Sequence, residues 1–311
     1  MKRYQCLFFG AATYDLLFLV DRVPDSDERI EAYQMACSGG GPAATASVAL
    51  QSLGKKSGLV SAVGDDPIGR LIVHELKDKV VDVTGIRTLT GRPSPLSVIH
   101  VEKGTGKRTI TYYGGCLKYL DLSEINMDIL SYTNSVHLDG NNFELALSIA
   151  KYCRQHTQTI ISLDGGNIPG DKVMKILPYI DIFILDDKST RNICGNIPFK
   201  EACRLFHDRG AKIVGITLGD KGSLAYDGNY FYHAPSFTVN VIDTTGAGDN
   251  FHGAFLYGYL EGWTLPETIR FANAFAALTC RGLGGRAAIP SIQETEQLVE
   301  LTPGYEVRSY T

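Results

Sequence analysis

The chain has 311 residues, of which 44% are hydrophobic and 21% charged, a balance typical of a globular enzyme with a sizeable buried core. Its formal net charge of -4, without any block of lysine or arginine, gives no support to nucleic-acid or membrane-surface binding. The cysteines are scattered without a Cys-x-x-Cys pair, which indicates free thiols in a reducing compartment, so we expect a cytoplasmic protein.

The first predicted element is a strand, Cys6–Phe9, which is too short and too soon interrupted by Gly10 to be a signal peptide. A small-residue loop follows and ends at Asp15. Loops that leave the carboxyl ends of strands are where open α/β sheets place their ligands, so Asp15 is a candidate substrate residue. An ordinary turn aspartate is the alternative. The extended segments 16–20 and 29–36 fit a separate small sheet better than a strand–helix alternation.

Three consecutive glycines, Gly39, Gly40 and Gly41, precede Pro42 and an alanine-rich helical segment that ends near Gly54. Glycine lets the backbone pass close to a ligand, and proline suits the first turn of a helix. The pattern predicts a substrate-binding turn before a helix. A flexible lead into a tightly packed helix is the alternative.

A β-hairpin is predicted where Ser97–Val101 and Arg108–Tyr113 flank the glycine-bearing segment 102–107. Arg108 is the one cation on the returning strand. It is a candidate contact for an anionic group of the substrate, and a solvated strand charge is the alternative.

From residue 135 onward strand runs alternate with helical stretches, which is the βαβ pattern of a parallel sheet with helices on both faces. Asp164 and Asn167 follow one of these strands at the expected ligand edge and are candidate substrate or metal-shell residues. Asp186 and Asp187 follow the next strand, and their carboxylates suit a hard cation such as Mg²⁺. Thr217, Gly219 and Gly222 form a further strand-to-turn passage, for which a plain β-turn is the competing interpretation.

The segment from Val241 to Leu256 is predicted to be a strand, a tight turn and the start of a helix. The first N–H groups of a helix lack internal partners and carry partial positive charge, so an anion is the natural ligand there. Gly246, Ala247 and Gly248 leave room for a phosphate. Asp249 would repel a resting phosphate, but it could act as a general base for a hydroxyl. A helix-capping aspartate is the alternative.

The run Asp243-Thr244-Thr245-Gly246-Ala247-Gly248-Asp249-Asn250-Phe251 resembles the second signature of the ribokinase-like (PfkB) family of carbohydrate kinases. The glycine run at 39–41, with Pro42 and Ala43, is similar to the first signature, although Ala44 replaces the usual asparagine. Within the family, the runs at 39–46, 163–165, 251–253 and 284–287 most resemble the sulfofructose kinase branch. The resemblance implies an α/β, doubly wound, mostly parallel sheet flanked by helices, in one domain over 1–311 with small β-sheet lid segments at about 16–36 and 97–114.

The resemblance also implies roles for these residues. The substrate would contact Asp15, the 39–41 turn, Arg108 and Asp164. ATP would contact Asp186, Thr217, Gly219, Gly222, Thr245, Asn273 and Gly285. Mg²⁺ would be organised at Asp186 and Asp187, where Ser189 replaces the family glutamate, and the loop 282–287 with Asp243 would serve a monovalent cation such as K⁺. The lid would pair with a second copy to form a homodimer.

The predicted function is ATP-dependent transfer of the γ-phosphate to a hydroxyl of a sugar or sugar derivative. Asp249 would act as general base, and Gly246, Ala247 and Gly248 would form an anion hole. Two alternatives stay open. A nucleoside kinase has the same fold and signatures, and a non-catalytic ligand-binding regulatory protein is slightly favoured by Ala44 and Ser189 but opposed by Asp249.

Overall fold

The strands and helices follow the predicted alternation along the chain. The computed structural model describes residues 3–166, 168–302 and 308–310. Its strands are β1 (Tyr4–Phe9), β2 (Thr13–Val20), β3 (Gln34–Gly40), β4 (Ser57–Gly64), β5 (Asp82–Leu89), β6 (Leu96–Glu102), β7 (Arg108–Tyr113), β8 (Thr133–Leu138), β9 (Ile160–Asp164), β10 (Ile182–Asp186), β11 (Ile213–Thr217), β12 (Ser223–Tyr226), β13 (Phe231–Ala234) and β14 (Arg308–Tyr310). Its α-helices are α1 (Pro42–Ser52), α2 (Pro67–Asp78), α3 (Phe143–His156), α4 (Gly170–Ile176), α5 (Asp187–Cys194), α6 (Phe199–Asp208), α7 (Ala247–Leu260), α8 (Leu265–Thr279) and α9 (Ile292–Glu300).

The larger sheet runs in the order β14-β13-β12-β11-β10-β9-β8-β1-β4-β5 among the described residues. Every neighbouring pair from β11 to β5 is parallel, and the three pairs from β11 to β14 are antiparallel. The predicted doubly wound, mostly parallel sheet is therefore confirmed. Because β1 lies between β4 and β8, the chain changes direction of winding there, and ligands of open α/β sheets bind at such a point.

Hydrophobic residues on the two faces of this sheet form two separate cores. In β1, Leu7 and Phe9 belong to one core, which includes helices α3, α4 and α6. Cys6 and Phe8 belong to the other, which includes α1, α2, α7 and α8. This alternation has the period of two that a strand requires. Strands buried on both faces therefore have runs of apolar residues, as β1 has from Cys6 to Phe9.

A second, four-stranded sheet runs in the order β3-β2-β6-β7, and we call it the small sheet. Its strands extend beyond the expected segments, because β2 begins at Thr13 and β3 continues to Gly40. Asp15, expected at the end of a loop after β1, lies instead within β2, opposite Ser38 of β3 and Ser97 of β6. The prediction of a loop that runs to Asp15 was therefore wrong. Small residues are typical of a turn, but only residues 10–12 separate β1 from β2, and the chain is extended again from Thr13.

The predicted strand at Val241–Ile242 is also absent from the structure. Both residues are irregular and 37% exposed, and the segment packs beside Gly106 at the tip of the β6–β7 hairpin. Two apolar residues are too few to distinguish a strand from a loop that covers another loop. In the described part of the chain, no helix is both long and apolar enough to cross a membrane.

Candidate active site

The site is built around the first turn of helix α7. Gly246 is the N-cap residue and has a φ of 71°, a left-handed conformation that glycine adopts without strain. Within the described part of the chain, no side chain caps this helix end. Asp243 fixes the preceding segment, because its Oδ1 accepts hydrogen bonds from the N–H (2.8 Å) and hydroxyl (2.7 Å) of Thr245. The helix start is thus held in place, and its first-turn N–H groups lie at a helix end that no described side chain caps.

The space at this turn differs between its two glycines. A Cβ at Gly246 would lie 2.8 Å from the Cα of Gly285, so the backbone of the 282–287 loop requires a glycine there. A Cβ at Gly248 would meet no atom of the described residues within 4 Å. The Ala247 N–H donates to the carbonyl of Thr244 (3.3 Å), so the groups most open to an anion are those of Gly248 and Asp249 rather than all of 246–248.

Asp249 lies in this turn and is partly exposed. Burial of the carboxyl group and the negative charge of Asp164 raise the pKa of Asp249 to about 7, against the opposing effects of His252 and Arg108. A carboxyl group with a pKa near neutrality is suited to accept a proton from a hydroxyl.

Asp164, at the end of β9, has buried histidine neighbours that the sequence did not single out. The Nε2 of His252 lies 3.5 Å from Asp164 Oδ1, and the same oxygen accepts a hydrogen bond from Gly166 N–H (2.8 Å). Burial alone would raise the pKa of Asp164, but His252 and the Gly166 bond lower it overall. His137 of β8 packs against His252 with ring centroids 5.1 Å apart. Both histidines fall at core positions of their elements, which hides them from pattern-based prediction.

The candidate sugar-binding residues lie on the face of the small sheet that turns toward the larger sheet. Asp15, Ser97 and Tyr112 occupy one row across β2, β6 and β7. Asp15 Oδ1 accepts a hydrogen bond from the Thr13 hydroxyl (2.8 Å), and burial raises the pKa of Asp15. Burial, together with the charge of Asp139, raises the pKa of Tyr112 to about 12. A Cβ at Gly40 would lie 2.0 Å from Asp15 Oδ2, so that carboxylate packs directly on the glycine backbone.

Arg286 is a structural residue of the site that the sequence interpretation did not assign. It is 3% exposed, forms an ion pair with Glu75 of α2, and donates to the Thr45 hydroxyl (3.2 Å) and the Gly40 carbonyl (2.7 Å). A Cβ at Gly39 would collide with both Glu75 and Arg286. Arg286 therefore ties the end of β3 to helices α1 and α2.

Asp139, just after β8, is a second unassigned carboxylate and is fully buried. It accepts hydrogen bonds from the N–H groups of Ala11 (2.7 Å), Ala43 (3.2 Å) and Asn141 (2.9 Å). A Cβ at Gly10 would collide with it. Burial raises the pKa of Asp139 to about 6, although the hydrogen bonds from Ala11 and Asn141 act in the other direction. Asp139 holds the first turn of α1 against the end of β1.

Arg108 lies close to the start of α7. Its guanidinium donates to the Thr244 hydroxyl (3.0 Å). Thr244 in turn donates its N–H (3.1 Å) and its hydroxyl (2.8 Å) to the carbonyl of Gly106. The β6–β7 hairpin therefore contacts the segment that leads into the anion-binding turn, and Arg108 adds positive charge near Asp249.

Two of the candidate nucleotide residues, Gly222 and Asn273, lie against the segment 234–236. Thr217 ends β11, and Gly219 and Gly222 have φ values of 61° and 89° in the following turn. A Cβ at Gly222 would lie 2.0 Å from the Ala234 carbonyl oxygen. The Asn273 amide donates to the carbonyls of Ala234 (2.9 Å) and Pro235 (3.0 Å). The side-chain nitrogen of Asn273 therefore holds this segment in place. This structural role is compatible with a contact between Asn273 and the base of a nucleotide.

Two of the candidate metal residues, Asp186 and Asp243, already accept hydrogen bonds within the protein. Asp186 caps helix α5 by accepting from the Ser189 N–H (2.7 Å) and hydroxyl (2.8 Å). Asp243 Oδ2 accepts from Gly284 N–H (2.8 Å), in addition to the Thr245 bonds on its other oxygen. Over 3–166, 168–302 and 308–310, no group of three or more His, Cys, Asp or Glu side chains is arranged to hold a metal ion. Asn167 lies outside the described residues.

Comparison with known proteins gives the class of this molecule. The family described as pfkB family carbohydrate kinase matches residues 4–292. The chain therefore belongs to the pfkB family, and it is an ATP-dependent carbohydrate kinase.

Individual relatives are consistent with that class. The chain is 28% identical over 280 residues to the ATP-dependent ribose-1-phosphate kinase of Halopiger xanaduensis, covering 90% of this chain and 93% of that protein. It is 30% identical over 281 residues to the ribokinase of Haemophilus influenzae, covering 86% and 89%. The structure of Arabidopsis thaliana ribokinase complexed with ribose and ATP is similar in fold, with a TM-score of 0.82, 24% identity and coverage of 96% and 99%.

The raised pKa of Asp249 generates a prediction about pH. If the ionised carboxylate is the base, kcat/KM for the acceptor rises about tenfold per pH unit below about pH 7 and levels off above it, because the free enzyme must lose this proton. Steady-state rates at limiting acceptor, measured with saturating ATP across this range, check it. A kcat/KM that does not change from about pH 5.5 to 8.5 would contradict an Asp249 base with this pKa.

Proposed function

We propose that this kinase transfers the γ-phosphate of ATP to a hydroxyl of a sugar or sugar derivative, with Asp249 as general base and the turn at Gly246–Gly248 as the anion hole, in which the N–H groups of Gly248 and Asp249 are the ones most open to the phosphate. The proposal depends chiefly on one observation. An uncapped helix start with open space at Gly248 lies directly beside a carboxylate whose pKa is raised to about 7. Phosphoryl transfer needs charge stabilisation and alignment of the nucleophile, and this turn offers both.

The acceptor is proposed to bind between the small sheet and the carboxyl edge of the larger sheet. Asp15, with its Oδ2 against Gly40, and Asp164 are the carboxylates that would hold its hydroxyls, and Arg108 would contact it from β7. The small sheet would act as a lid that excludes water, which otherwise competes with the acceptor hydroxyl. The polar row of Asp15, Ser97 and Tyr112 supports a polyhydroxylated ligand because each member offers a hydrogen-bonding atom on one face.

ATP is proposed to lie along the 217–222 turn, with its phosphates toward Thr245 and the start of α7. Asp186 and Asp187 supply the hard carboxylate oxygens that Mg²⁺ prefers. Because Asp186 also caps α5, the end of β10 fits an ion that is bound mainly by the nucleotide. When bound, Mg²⁺ would neutralise phosphate charge. A K⁺ site would depend on carbonyl oxygens of the 282–287 loop, since both oxygens of Asp243 already accept hydrogen bonds.

To identify the acceptor, ATP consumption is measured with a panel of sugars, sugar acids, sulfosugars and nucleosides. ATP consumption with a sugar supports the proposal, whereas consumption only with nucleosides supports the nucleoside kinase. Turnover with a sulfosugar would support the sulfofructose kinase branch. ATP binding without any accepted compound would favour the non-catalytic protein.

Asp249→Asn tests the base. Asparagine keeps the shape of the side chain but cannot take the proton, so we expect kcat to fall roughly 10²–10⁴-fold with ATP binding retained. Turnover and calorimetric titration with a non-hydrolysable ATP analogue measure the two effects. The matched control is Asp208→Asn at the exposed end of α6, which should change neither. Near-normal turnover of Asp249→Asn would refute the assignment.

Gly248→Ala tests the anion hole. The added methyl group meets no protein atom, and alanine favours helix, so the free energy of unfolding should stay unchanged or rise by up to about 1 kcal/mol. The same methyl would occupy the space in front of the N–H groups, so kcat should fall roughly tenfold or more. Chemical denaturation and turnover assays are compared on one preparation. Equal turnover in a fully folded variant would show that no phosphate approaches this position.

We also propose a homodimer formed through the outer face of the small sheet. This face carries Met35 and Tyr113, which are 58% and 57% exposed, beside the half-buried Phe18. Sedimentation should give twice the chain mass of 33.9 kDa. Met35→Lys should shift the protein toward monomer because it places a charge in the apolar contact, whereas Leu301→Lys, on an exposed residue after α9, should not. A monomer mass for the unaltered chain would contradict the dimer.

A further inference from the structure

His252 is placed between the two carboxylates of the site that the proposed function uses. It follows Asp249 by three residues on helix α7, and residues at this spacing lie on the same helix face. Its Nε2 lies 3.5 Å from Asp164 Oδ1, and its side chain is 6% exposed. One imidazole therefore stands beside the proposed base and in contact with a second, buried acid.

The neighbourhood of His252 favours its charged form. A buried carboxylate without a cationic partner is costly, and the Gly166 N–H supplies only one hydrogen bond to Asp164. Burial would lower the pKa of His252, but Asp164, Asp249 and Asp139 together raise it. His252 therefore keeps its proton to higher pH than an ordinary histidine does.

His137 provides the contrast within the same cluster. Its Nδ1 is 3.1 Å from the hydroxyl of Ser162, which is a neutral partner. Burial and the nearby charge of His252 lower the pKa of His137 to about 3. His137 is thus a neutral histidine packed against a charged one.

We propose that His252 is a positioning residue that keeps Asp249 ionised by neutralising the buried carboxylate of Asp164. This inference rests on the proposed role of Asp249 as base. Without the imidazolium, Asp164 and Asp249 would repel each other in a poorly solvated cleft, and the base would hold its proton to higher pH. The other charged groups that act on Asp249 are Asp139, which opposes ionisation, and Arg108 of β7, which favours it.

The decisive experiment compares the pH dependence of kcat/KM in His252→Gln and Asp164→Asn. Glutamine keeps a donor toward Asp164 and removes only the charge, so the acidic midpoint should rise by about one pH unit. Asp164→Asn removes the repelling charge, so its midpoint should fall by a similar amount. The double variant should return close to the wild-type midpoint, since neither charge remains.

Two controls separate this role from a structural one. His137→Asn removes the neighbouring imidazole and keeps a partner for Ser162, so its midpoint should be unchanged even if its melting temperature falls. At pH values above the shifted midpoint, His252→Gln should recover to within about threefold of the wild-type rate, because a general base that is fully ionised no longer needs the neighbour.

The outcomes are distinguishable from failure of the proposed function. If Asp249→Asn turns over normally, the base assignment falls and this inference with it. If Asp249→Asn is inactive, but His252→Gln leaves the midpoint unchanged, lowers it, or reduces the rate equally at every pH, then only the role of His252 is overturned.

Discussion

The close contact between helices α1 and α7 is the constraint on which the arrangement of the site depends. Gly253 of α7 faces Ala46 and Ala49 of α1 so closely that a Cβ would lie 2.6 Å from the Ala46 carbonyl oxygen and from the Ala49 Cβ. Small residues let two helix backbones approach, and every residue of α1 from Ala43 to Leu50 is buried. The glycine run that precedes α1 and the glycine turn that precedes α7 are thereby brought to the same end of the molecule.

The loop 282–287 fixes these two helix starts relative to each other. Asn250 of α7 donates to the Gly285 carbonyl (2.7 Å), and Arg286, next in the chain, donates to the carbonyl of Gly40 (2.7 Å). A few residues therefore link the two ends of the cleft by hydrogen bonds. An arginine is suited to this because its planar fork reaches several acceptors at once, and its buried charge is balanced by Glu75.

The sequence was sufficient for the parallel sheet, the separate small sheet and the two glycine-bearing turns, because strand runs, turn glycines and helix starts are local signals. It was not sufficient for Asp15, whose place in β2 depends on pairing with Ser38 and Ser97, or for Arg286 and His252. A buried ionisable residue looks like any other charged or polar letter until tertiary packing supplies its partner. For Asp186, one local pattern fits two roles. An aspartate at the end of a strand suits a cation, but it also suits a helix N-cap, and the structure shows the cap.

The hydrogen bonds between Gly106 and Thr244 have a mechanical consequence. The hairpin that covers the proposed acceptor pocket is attached to the backbone from which the anion-binding turn begins. Lifting the hairpin would therefore break both Thr244 bonds and release a restraint on that turn. Opening of the acceptor pocket and loosening of the anion-binding turn are therefore coupled, because both movements break the same two hydrogen bonds.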